Sequence, residues 1–480
     1  MNLTDTSSSA ILTRGGALID LFPFAGLPVA VFGLGRSGLA TAKALKRSGA
    51  DVWAWDDDEA ARADAAMAGV PLVDLYRCQW EKPTALVLSP GIPLHSPQPH
   101  PLVGMAKAAG CEVIGDVELL ARSQRDCTYI GITGTNGKST TTALIGHILQ
   151  TSGRQTEIGG NLGRPVLKLA PLGAEGTYVV EMSSFQLELA YSITFDVAVL
   201  LNISADHLQR HGGMGGYLRA KKRIFHHQTA PRAAVVGIDD GHSLAIHEKL
   251  KAKGEQVVIP ISCQGPIRGG VYAKDGMLID AIDGPAKPVI DLKGVSTLPG
   301  RHNWQNAAAA YAAAKIAGVD AAAMRDGLES YPGLAHRQEL VAVIDGISYV
   351  NDSKATNADA AAKALACYRA VYWIAGGRVK EGGIQVLEPH LSRIRHVFVI
   401  GEAAETLADT LGGKIDITRS GYLASAIKEA RVMALREGAK DAVVLLSPAC
   451  ASFDQFKNFE ARGEAFRKLV ESLPGHRQNP

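Results

Sequence analysis

The segment TGTNGKST, residues 133–140, decides how the middle of this chain is interpreted. It follows an apolar run at 129–132 that is typical of a buried strand, and it precedes a predicted helix at 141–149. A glycine-rich turn in that position points successive backbone N–H groups at an anion. Lys138 can reach the β- and γ-phosphates of a nucleotide, and the Ser139 hydroxyl can bind Mg²⁺. The segment therefore predicts phosphate binding, although Ile132 stands where a strict P-loop has its first glycine.

A second glycine-rich turn, GLGRSG at residues 33–38, follows the apolar run 28–32 and opens a predicted helix at 40–48. Glycines in this context let the backbone approach a diphosphate, which the helix N-terminus attracts. Asp56 lies 18 residues after Gly38, at the end of the next predicted strand, where it can accept from a ribose or a base. A nucleotide diphosphate is predicted, but NAD and a turn without a ligand stay open. The loop SPGIP at 89–93 is likewise either a ligand loop or a proline turn.

Short apolar runs alternate with alanine-rich helical stretches along nearly the whole chain, which predicts an α/β fold of parallel sheets covered by helices. Strand series begin near residues 28, 129 and 340. In the third series, Asp345-Gly346 separates apolar runs at 341–344 and 347–350, which is a hairpin signal. The chain of 480 residues is long enough for about three domains, and we place them at 1–126, 127–331 and 332–480.

The composition excludes several classes of protein. A formal net charge of +2 offers no general basic field for a nucleic acid or an anionic membrane, so local groups must hold any anionic ligand. Six scattered cysteines without a CxxC pair argue against disulfides and structural zinc. Residues 1–16 lack the basic flank and apolar core of a signal peptide, and no run approaches the roughly 20 apolar residues of a membrane span. We expect a cytoplasmic protein without nucleic-acid or membrane partners.

Three polar residues stand where strands or helices bring them toward the predicted phosphate loop. Glu181 ends the apolar run 177–180, and a carboxylate beside a phosphate loop suits Mg²⁺. His207 follows the run 196–201 and is either a metal ligand, a group that holds an oxyanion, or a structural histidine. Lys221 lies in the basic stretch 218–225, which is either a solvated helix face or the source of a lysine carbamate. A carbamate requires CO₂ to add to a neutral amine, and it would supply an oxygen anion for a metal.

Taken together, these residues resemble the Mur ligases, the ATP-dependent amino-acid-adding enzymes of peptidoglycan synthesis. The resemblance covers nearly the whole length, and its motifs are residues 134–140, EMSSFQLE at 181–188, Asp206-His207, the helix around Lys221, GRHNWQN at 300–306, His336-Arg337, NDSKATN at 351–357 and LSPACASFDQF at 446–456. The last two are similar to those of the members that add D-glutamate. The Asp-Asn-Pro-Arg signature of the members that add diaminopimelate is absent.

The resemblance implies a Rossmann-like N-terminal domain that binds a UDP-sugar, a P-loop-type central ATPase domain and a Rossmann-like C-terminal domain that binds the amino acid. It implies an ATP-dependent ligase that adds D-glutamate to UDP-N-acetylmuramoyl-L-alanine through an acyl phosphate, with two Mg²⁺ ions. It also reassigns the first glycine loop from NAD to the UDP-sugar. We further expect a monomer.

The resemblance assigns roles to individual residues. The predicted catalytic residues are Lys138, Glu181, His207 and Lys221. The metal ligands are predicted to be Ser139, Glu181, His207 and Lys221 as its carbamate. The predicted ATP-binding residues are Gly134, Thr135, Asn136, Gly137, Lys138, Ser139, Thr140, Asn306, Arg337 and Asp352. The UDP-sugar is assigned to Arg36, Ser37, Asp56, Ser89, Gly91 and Asn161, the last matching a position near the reacting phosphate. D-Glutamate is assigned to Thr356, Lys380, Ser452 and Phe459, with Lys354 nearby.

Four other functions compete with this interpretation. A ligase for another amino acid, or one that adds glutamate to a folate, is disfavoured by the motifs at 351–357 and 446–456. An NAD dehydrogenase would explain only the first glycine loop, whereas the two loops imply two phosphorylated ligands. A non-catalytic nucleotide-binding protein would leave Glu181, His207 and Lys221 without a task.

Overall fold

The computed structural model describes residues 18–378 and 384–478, and the chain forms two compact units. The first unit contains the described residues up to 135, together with 153–234 and 250–257. The second contains 136–152, 235–249 and the described residues from 258 onward.

Strands and helices alternate along most of the chain. The strands are β1 (Pro28–Phe32), β2 (Asp51–Trp55), β3 (Ala85–Leu88), β4 (Glu112–Ile114), β5 (Thr128–Thr133), β6 (Thr156–Gly160), β7 (Thr177–Glu181), β8 (Val197–Leu200), β9 (Ala233–Gly237), β10 (Val257–Ser262), β11 (Val271–Lys274), β12 (Met277–Asp280), β13 (Lys287–Asp291), β14 (Glu339–Ile344), β15 (Ile347–Asn351), β16 (Ala370–Gly376), β17 (Ile394–Ile400), β18 (Ile417–Gly421), β19 (Ala442–Leu446) and β20 (Arg477–Gln478). The α-helices are α1 (Arg36–Arg47), α2 (Glu59–Met67), α3 (Pro101–Ala108), α4 (Asp116–Ser123), α5 (Lys138–Thr151), α6 (Ser184–Glu188), α7 (Leu208–His211), α8 (Met214–Lys222), α9 (Gly241–Lys253), α10 (Arg301–Ile316), α11 (Ala321–Glu329), α12 (Ala358–Leu365), α13 (Ala404–Leu411), α14 (Leu423–Glu437) and α15 (Phe459–Glu471).

The first unit contains two groups of parallel strands. One is a four-stranded sheet in the order β2-β1-β3-β4. The other places β8, β5, β7 and β6 side by side. Because the carboxyl ends of parallel strands meet at one edge of a sheet, the loops after β1 and β3 are neighbours. For the same reason, the residues that follow β5, β7 and β8 share an edge.

The second unit contains a seven-stranded sheet in the order β18-β17-β16-β19-β15-β14-β20. The five strands from β18 to β15 run parallel, and β14 and β20 are antiparallel additions. Successive residues of β16 point to opposite faces, so that Trp373 packs with α12 and α13 while Tyr372 packs with α14 and α15. Helices therefore cover both faces, which explains why these strands are continuous apolar runs. The same unit contains β10 to β13 and the helices α5, α10 and α11, which pack together.

The predicted α/β class is confirmed, as are the predicted strands. The hairpin at Asp345-Gly346 is present, and both residues adopt positive φ, 52° and 78°. Two helix starts were predicted too late. The first helix begins at Arg36 rather than at residue 40, and α5 begins at Lys138 rather than at residue 141. Each glycine turn leads directly into the first helical turn, because the glycine before it supplies the non-helical cap conformation.

Within the described parts of the chain, no helix combines the length and the apolar character that a membrane crossing requires.

Candidate active site

The first glycine loop, between β1 and α1, is held by close backbone packing. Gly33 has φ of 89°, and a Cβ added to Gly38 would lie 1.7 Å from the Gly33 carbonyl oxygen. Ser89, in the loop after β3, donates its hydroxyl to that same oxygen at 2.7 Å. The Asp56 carboxylate accepts from the backbone N–H of Leu34 at 2.5 Å. The segments that follow β1, β2 and β3 are thus joined around the turn. A loop that brings its backbone close to a diphosphate requires such support.

Other residues assigned to the UDP-sugar lie around this turn in the first unit. The Arg36 guanidinium donates to the carbonyl oxygen of Gly163, in the segment that contains Asn161. Ser37 lies in the first turn of α1 and is partly exposed. The carbonyl oxygen of Gly91 accepts from Arg210 at 2.7 Å. The structure therefore brings the residues of this set into one region, and their contacts with a ligand remain predictions.

Glu181 ends β7 opposite Ile132 of β5 and is almost fully buried, with 1% of its surface exposed. Its Oε1 atom accepts from the Asn161 side-chain amide at 2.7 Å. Its Oε2 atom is buried and has no hydrogen-bond partner among the described residues. A buried carboxylate oxygen without a partner is costly unless a cation or donor joins it. Glu181 is thus suited to hold a cation at the carboxyl ends of these strands.

Lys221 approaches the end of β5 from α8. Its side chain is buried, and Nζ donates to the Gly134 carbonyl oxygen at 2.8 Å and lies 3.4 Å from the Thr133 hydroxyl. Nζ also lies 4.7 Å from the centre of the Tyr217 ring. The interpretation of residues 218–225 as a wholly solvated face is therefore wrong for Lys221. The reason is that α8 packs its Lys221 face onto the strand ends, whereas Lys222 points outward.

His207 occupies a strained position just before α7. Its φ is 51°, in the left-handed region that non-glycine residues seldom adopt. Its Nε2 lies 3.6 Å from an Asp206 carboxylate oxygen, and its ring centre lies 5.2 Å from that of Phe185. Phe185 belongs to α6, whose start is fixed by a capping box between Ser183 and Gln186. The segment after Glu181 thereby packs against the segment that carries His207.

The side chains of Glu181, Lys221 and His207 provide some of the ligands that a hard cation such as Mg²⁺ prefers. Among the described residues there is no group of three or more His, Cys, Asp and Glu side chains that could hold a metal. Glu181 supplies one buried carboxylate oxygen, and a carbamate on Lys221 would supply another anionic oxygen. Mg²⁺ prefers oxygen ligands and usually takes only one or two carboxylates, leaving its other positions to water and phosphate. The imidazole nitrogen of His207 is a less suitable ligand for it.

In the second unit, α5 begins with Lys138 and Ser139 after Gly137, which has φ of 88°. The Arg337 guanidinium donates to the Ser139 hydroxyl at 2.7 Å. Two cationic side chains therefore stand at or beside the first turn of a 14-residue helix, whose N-terminus itself favours an anion. The predicted ATP residues Lys138, Ser139 and Arg337 are brought together by this arrangement.

Asp352 lies at the end of β15 and is buried. Its carboxylate accepts from the Ser447 hydroxyl at 2.7 Å and from the Gln338 backbone N–H at 3.2 Å. Burial raises the pKa of Asp352 to about 7, although these hydrogen bonds and the positive charge of Arg337 oppose the rise. Asn306 is buried in α10, where its amide donates to the Asn303 side chain at 3.0 Å.

The residues assigned to D-glutamate lie at the carboxyl edge of the seven-stranded sheet. Nζ of Lys354 lies 3.7 Å from the centre of the Phe459 ring, and the Thr356 N–H donates to the Lys354 carbonyl oxygen at 2.8 Å. Ser452 is buried in the loop after β19. Lys380 lies outside the described residues.

Sequence reasoning missed Arg462, which is 1% exposed and joins three loops at the same edge. Its guanidinium donates to Ser353, to the Cys450 carbonyl oxygen at 3.2 Å and to the Gly376 carbonyl oxygen at 3.4 Å. Burial lowers the pKa of Arg462 to about 10, although the charges of Cys450 and Asp454 oppose the shift. The sequence could have indicated its burial. Positions 462, 466 and 470 lie on one face of α15, and Arg462 takes a place on the face that Phe466 and Val470 bury. Arg210 was also missed, and no pattern in the sequence distinguishes it.

Comparisons with known proteins match nearly the whole chain to one family. The sequence profile of the Mur ligase middle domain matches residues 132–314, and that of the Mur ligase glutamate ligase domain matches residues 336–450. The chain is 53% identical over 461 residues to the UDP-N-acetylmuramoylalanine–D-glutamate ligase of Rhodospirillum rubrum, covering 95% of this chain and 97% of that protein. It is 50% identical over 462 residues to the ligase of the same name from Caulobacter vibrioides, with 95% and 98% covered.

Solved structures show the same fold at lower identity. A pseudomurein peptide ligase type C from Methanothermus fervidus matches with a TM-score of 0.57 at 19% identity, covering 93% of this chain and 100% of that chain. The UDP-N-acetylmuramate-alanine ligase of Thermotoga maritima matches with a TM-score of 0.56 at 17% identity, covering 93% and 99%.

Proposed function

The chain belongs to the Mur ligase family, and from this premise we propose that it joins D-glutamate to UDP-N-acetylmuramoyl-L-alanine at the expense of ATP. The observation that carries the substrate assignment is its identity of 50% or more, over 95% of its length, to relatives named for this reaction. The protein is an ATP-dependent amide-forming ligase in peptidoglycan precursor synthesis, and thereby serves cell-wall biogenesis, cell shape and cell division.

The chemistry requires activation of a carboxylate, which is a poor electrophile. The alanyl carboxylate of the UDP-sugar attacks the γ-phosphate of ATP, which yields an acyl phosphate and ADP. The amine of D-glutamate then attacks the acyl carbon, and the tetrahedral intermediate collapses to the amide and inorganic phosphate. Water must be excluded while the acyl phosphate exists, because hydrolysis would waste the ATP.

Residues 134–140 are the proposed phosphate-binding loop, in which Lys138 and the N-terminus of α5 offset the negative charge of the nucleotide. Arg337 already reaches the Ser139 hydroxyl at 2.7 Å, which places a second cation beside this loop. We assign Asn306 and Asp352 to the same nucleotide. Arg36, Ser37, Asp56, Ser89, Gly91 and Asn161 are assigned to the UDP-sugar.

Glu181, His207, Lys221 as a carbamate and Ser139 are the proposed ligands of two Mg²⁺ ions. When bound, the ions screen the negative charges of the phosphate and carboxylate. Support for this assignment comes from the unpartnered buried oxygen of Glu181. D-Glutamate is assigned to Thr356, Lys380, Ser452 and Phe459.

The remaining parts of the proposal concern the protein as a whole. We propose that the chain divides functionally at 1–126, 127–331 and 332–480, and that it acts as a cytoplasmic monomer without nucleic-acid or membrane partners. Both of its nucleotide substrates are water-soluble metabolites, which supports this location.

The decisive experiment offers the purified protein ATP, Mg²⁺ and UDP-N-acetylmuramoyl-L-alanine together with single amino acids. We expect phosphate release and a new amide only with D-glutamate, measured by coupled phosphate detection and mass spectrometry. L-Glutamate is the matched control, because it differs only in configuration. Turnover with L-glutamate or L-alanine and none with D-glutamate would refute the proposed substrate. Nicotinamide-dependent absorbance changes would instead favour the dehydrogenase alternative.

A further inference from the structure

Arg210 connects two parts of the first unit that are far apart in sequence. It lies in the short helix α7, directly after His207 and Asp206. Its guanidinium donates through NH1 to the Gly91 carbonyl oxygen at 2.7 Å and through NH2 to the Ile92 carbonyl oxygen at 3.0 Å. Both acceptors belong to the loop that follows β3. The planar guanidinium thus holds two adjacent carbonyl groups at once, which its fork geometry allows and a single ammonium group does not.

Arg210 is held by backbone groups, since both of its hydrogen-bond acceptors are backbone carbonyls. Its guanidinium carbon lies 4.6 Å from the centre of the Phe185 ring, a cation–π contact. The Nε atom is buried and has no hydrogen-bond partner among the described residues. Burial lowers the pKa of Arg210, in keeping with a cation that has lost part of its hydration. The charge of the Glu188 carboxylate opposes this lowering, so Arg210 has a counter-charge nearby.

A continuous set of contacts runs through Arg210 from the first glycine loop to His207. The Ser89 hydroxyl donates to the Gly33 carbonyl oxygen at 2.7 Å, and the Ile92 N–H donates to the Ser89 carbonyl oxygen at 3.0 Å. On the other side, the Phe185 ring contacts both the Arg210 guanidinium and the His207 ring, the latter at 5.2 Å. The glycine loop, the loop after β3 and the His207 segment are therefore tied to one another within this unit.

We propose that Arg210 is a positioning residue for the UDP-sugar, resting on the proposed function. It fixes the loop at 89–92 relative to His207, so that a UDP-sugar bound at the glycine loop presents its acyl end beside Glu181 and His207. Loss of Arg210 therefore weakens binding of the UDP-sugar selectively and leaves the affinity for ATP unchanged.

Arg223 provides a matched control. It also donates to two backbone carbonyl groups, those of Leu187 and Ala190, both at 2.7 Å, and its guanidinium lies 5.1 Å from the centre of the Tyr191 ring. Its partners lie in the last turn of α6 and just after it, and include no residue of the loops assigned to a ligand. Replacing it removes the same kinds of contact without releasing the loop at 89–92.

The experiment compares the wild type with Arg210→Met, Arg210→Lys and Arg223→Met. Isothermal titration gives the Kd for UDP-N-acetylmuramoyl-L-alanine, and steady-state kinetics gives the KM for each substrate. We expect Arg210→Met to raise the Kd and KM of the UDP-sugar about tenfold, which is about 1.4 kcal/mol at 25 °C. We expect Arg210→Lys, which keeps the charge and one hydrogen bond, to raise them only about threefold. The KM for ATP should stay within about twofold of the wild-type value, because changes at sites that share no contacts act independently of each other.

Arg223→Met is expected to lower the melting temperature, as Arg210→Met does, without changing the Kd for the UDP-sugar. Equal UDP-sugar affinities of the wild type and both folded Arg210 variants would overturn the positioning role and leave the proposed function standing. An equal rise in the KM for ATP and the UDP-sugar would overturn it too, because it would indicate a merely structural residue. If the wild type binds no UDP-sugar, the proposed function fails and the positioning role fails with it.

Discussion

At the scale of single residues, the burial of Lys221 favours a chemical role for this side chain over that of a solvated surface charge. Only 1% of its surface is exposed, and Nζ donates to the Gly134 carbonyl oxygen at 2.8 Å. Conversion of the amine to a carbamate would replace the positive charge with an oxygen anion at the end of β5, on the same edge as the unpartnered Oε2 of Glu181. The two groups would then hold a cation that neither holds alone.

Chemical rescue tests the carbamate directly. We expect Lys221→Ala to lower kcat by at least about a hundredfold, in the range that follows loss of one group stabilising charge at a reaction centre. Added formate or acetate should restore part of the activity, because a short carboxylate can occupy the space of the carbamate. The measurement is phosphate release against carboxylate concentration.

Lys222→Ala is the control for this rescue, since Lys222 is the exposed neighbour in the same helix. It should keep wild-type activity and show no response to carboxylates. Full activity of Lys221→Ala without any added acid would show that Lys221 only packs against the strand ends.

At the scale of elements, the turn between β1 and α1 depends on the absence of a side chain at Gly38. A Cβ at this position would lie 1.7 Å from the Gly33 carbonyl oxygen and 2.8 Å from the Ser89 hydroxyl. Both atoms belong to the loops that we assign to the UDP-sugar. Neither the backbone carbonyl nor the strand end behind it can move without displacing the turn.

Gly38→Ala should therefore lower the free energy of unfolding by about 1–3 kcal/mol, the usual cost of overpacking, and weaken UDP-sugar binding as well. Urea denaturation and isothermal titration measure the two effects. Gly104→Ala is the matched control, because Gly104 lies in α3, outside these loops, and a Cβ there meets no atom within 4 Å. If both variants bind the UDP-sugar like the wild type, the close approach at Gly38 serves packing alone.

The elements were largely predictable from local patterns, and the contacts between them were not. Asp345-Gly346 predicted its hairpin because few dipeptides tolerate two positive φ values, and the structure shows them. The glycine loops were predicted because each follows an apolar strand. Arg210 and Arg462 act through carbonyl groups of distant loops, and such acceptors exist at every residue. No sequence pattern marks which carbonyl group a buried arginine will reach.

At the scale of the whole molecule, the order of segments along the chain does not determine which of them pack together. Residues 136–152 belong to the second compact unit, although β5, which precedes them, belongs to the first. Sequence patterns show where one series of strands ends and the next begins. They do not show that a segment joins a different compact unit from the strand that precedes it. The boundaries near 126 and 332 are cuts along the chain, and they remain predictions.

The stability of the whole chain should depend on pH through Asp116, a buried residue in the first turn of α4. Burial raises its pKa from 3.8 to about 6, although hydrogen bonds from the Val117 N–H and the Gln186 side chain oppose the rise. Below pH 4 both the folded and unfolded states bind the proton. Between about pH 4 and 6 the unfolded state releases it first, so the folded state loses stability as the pH rises.

Asp116→Asn removes this titration, since an amide cannot ionise. The free energy of unfolding of the variant minus that of the wild type should therefore rise by on the order of 1–3 kcal/mol between pH 4.5 and 7.5. Urea denaturation at constant ionic strength measures the difference at both values. Asp126→Asn, which changes an exposed carboxylate close to the end of the same helix, is the control for the loss of one negative charge. A constant difference for Asp116→Asn would mean that its carboxylate is hydrated or paired in solution. Because only the pH dependence is compared, any fixed cost of placing an amide at this buried position cancels.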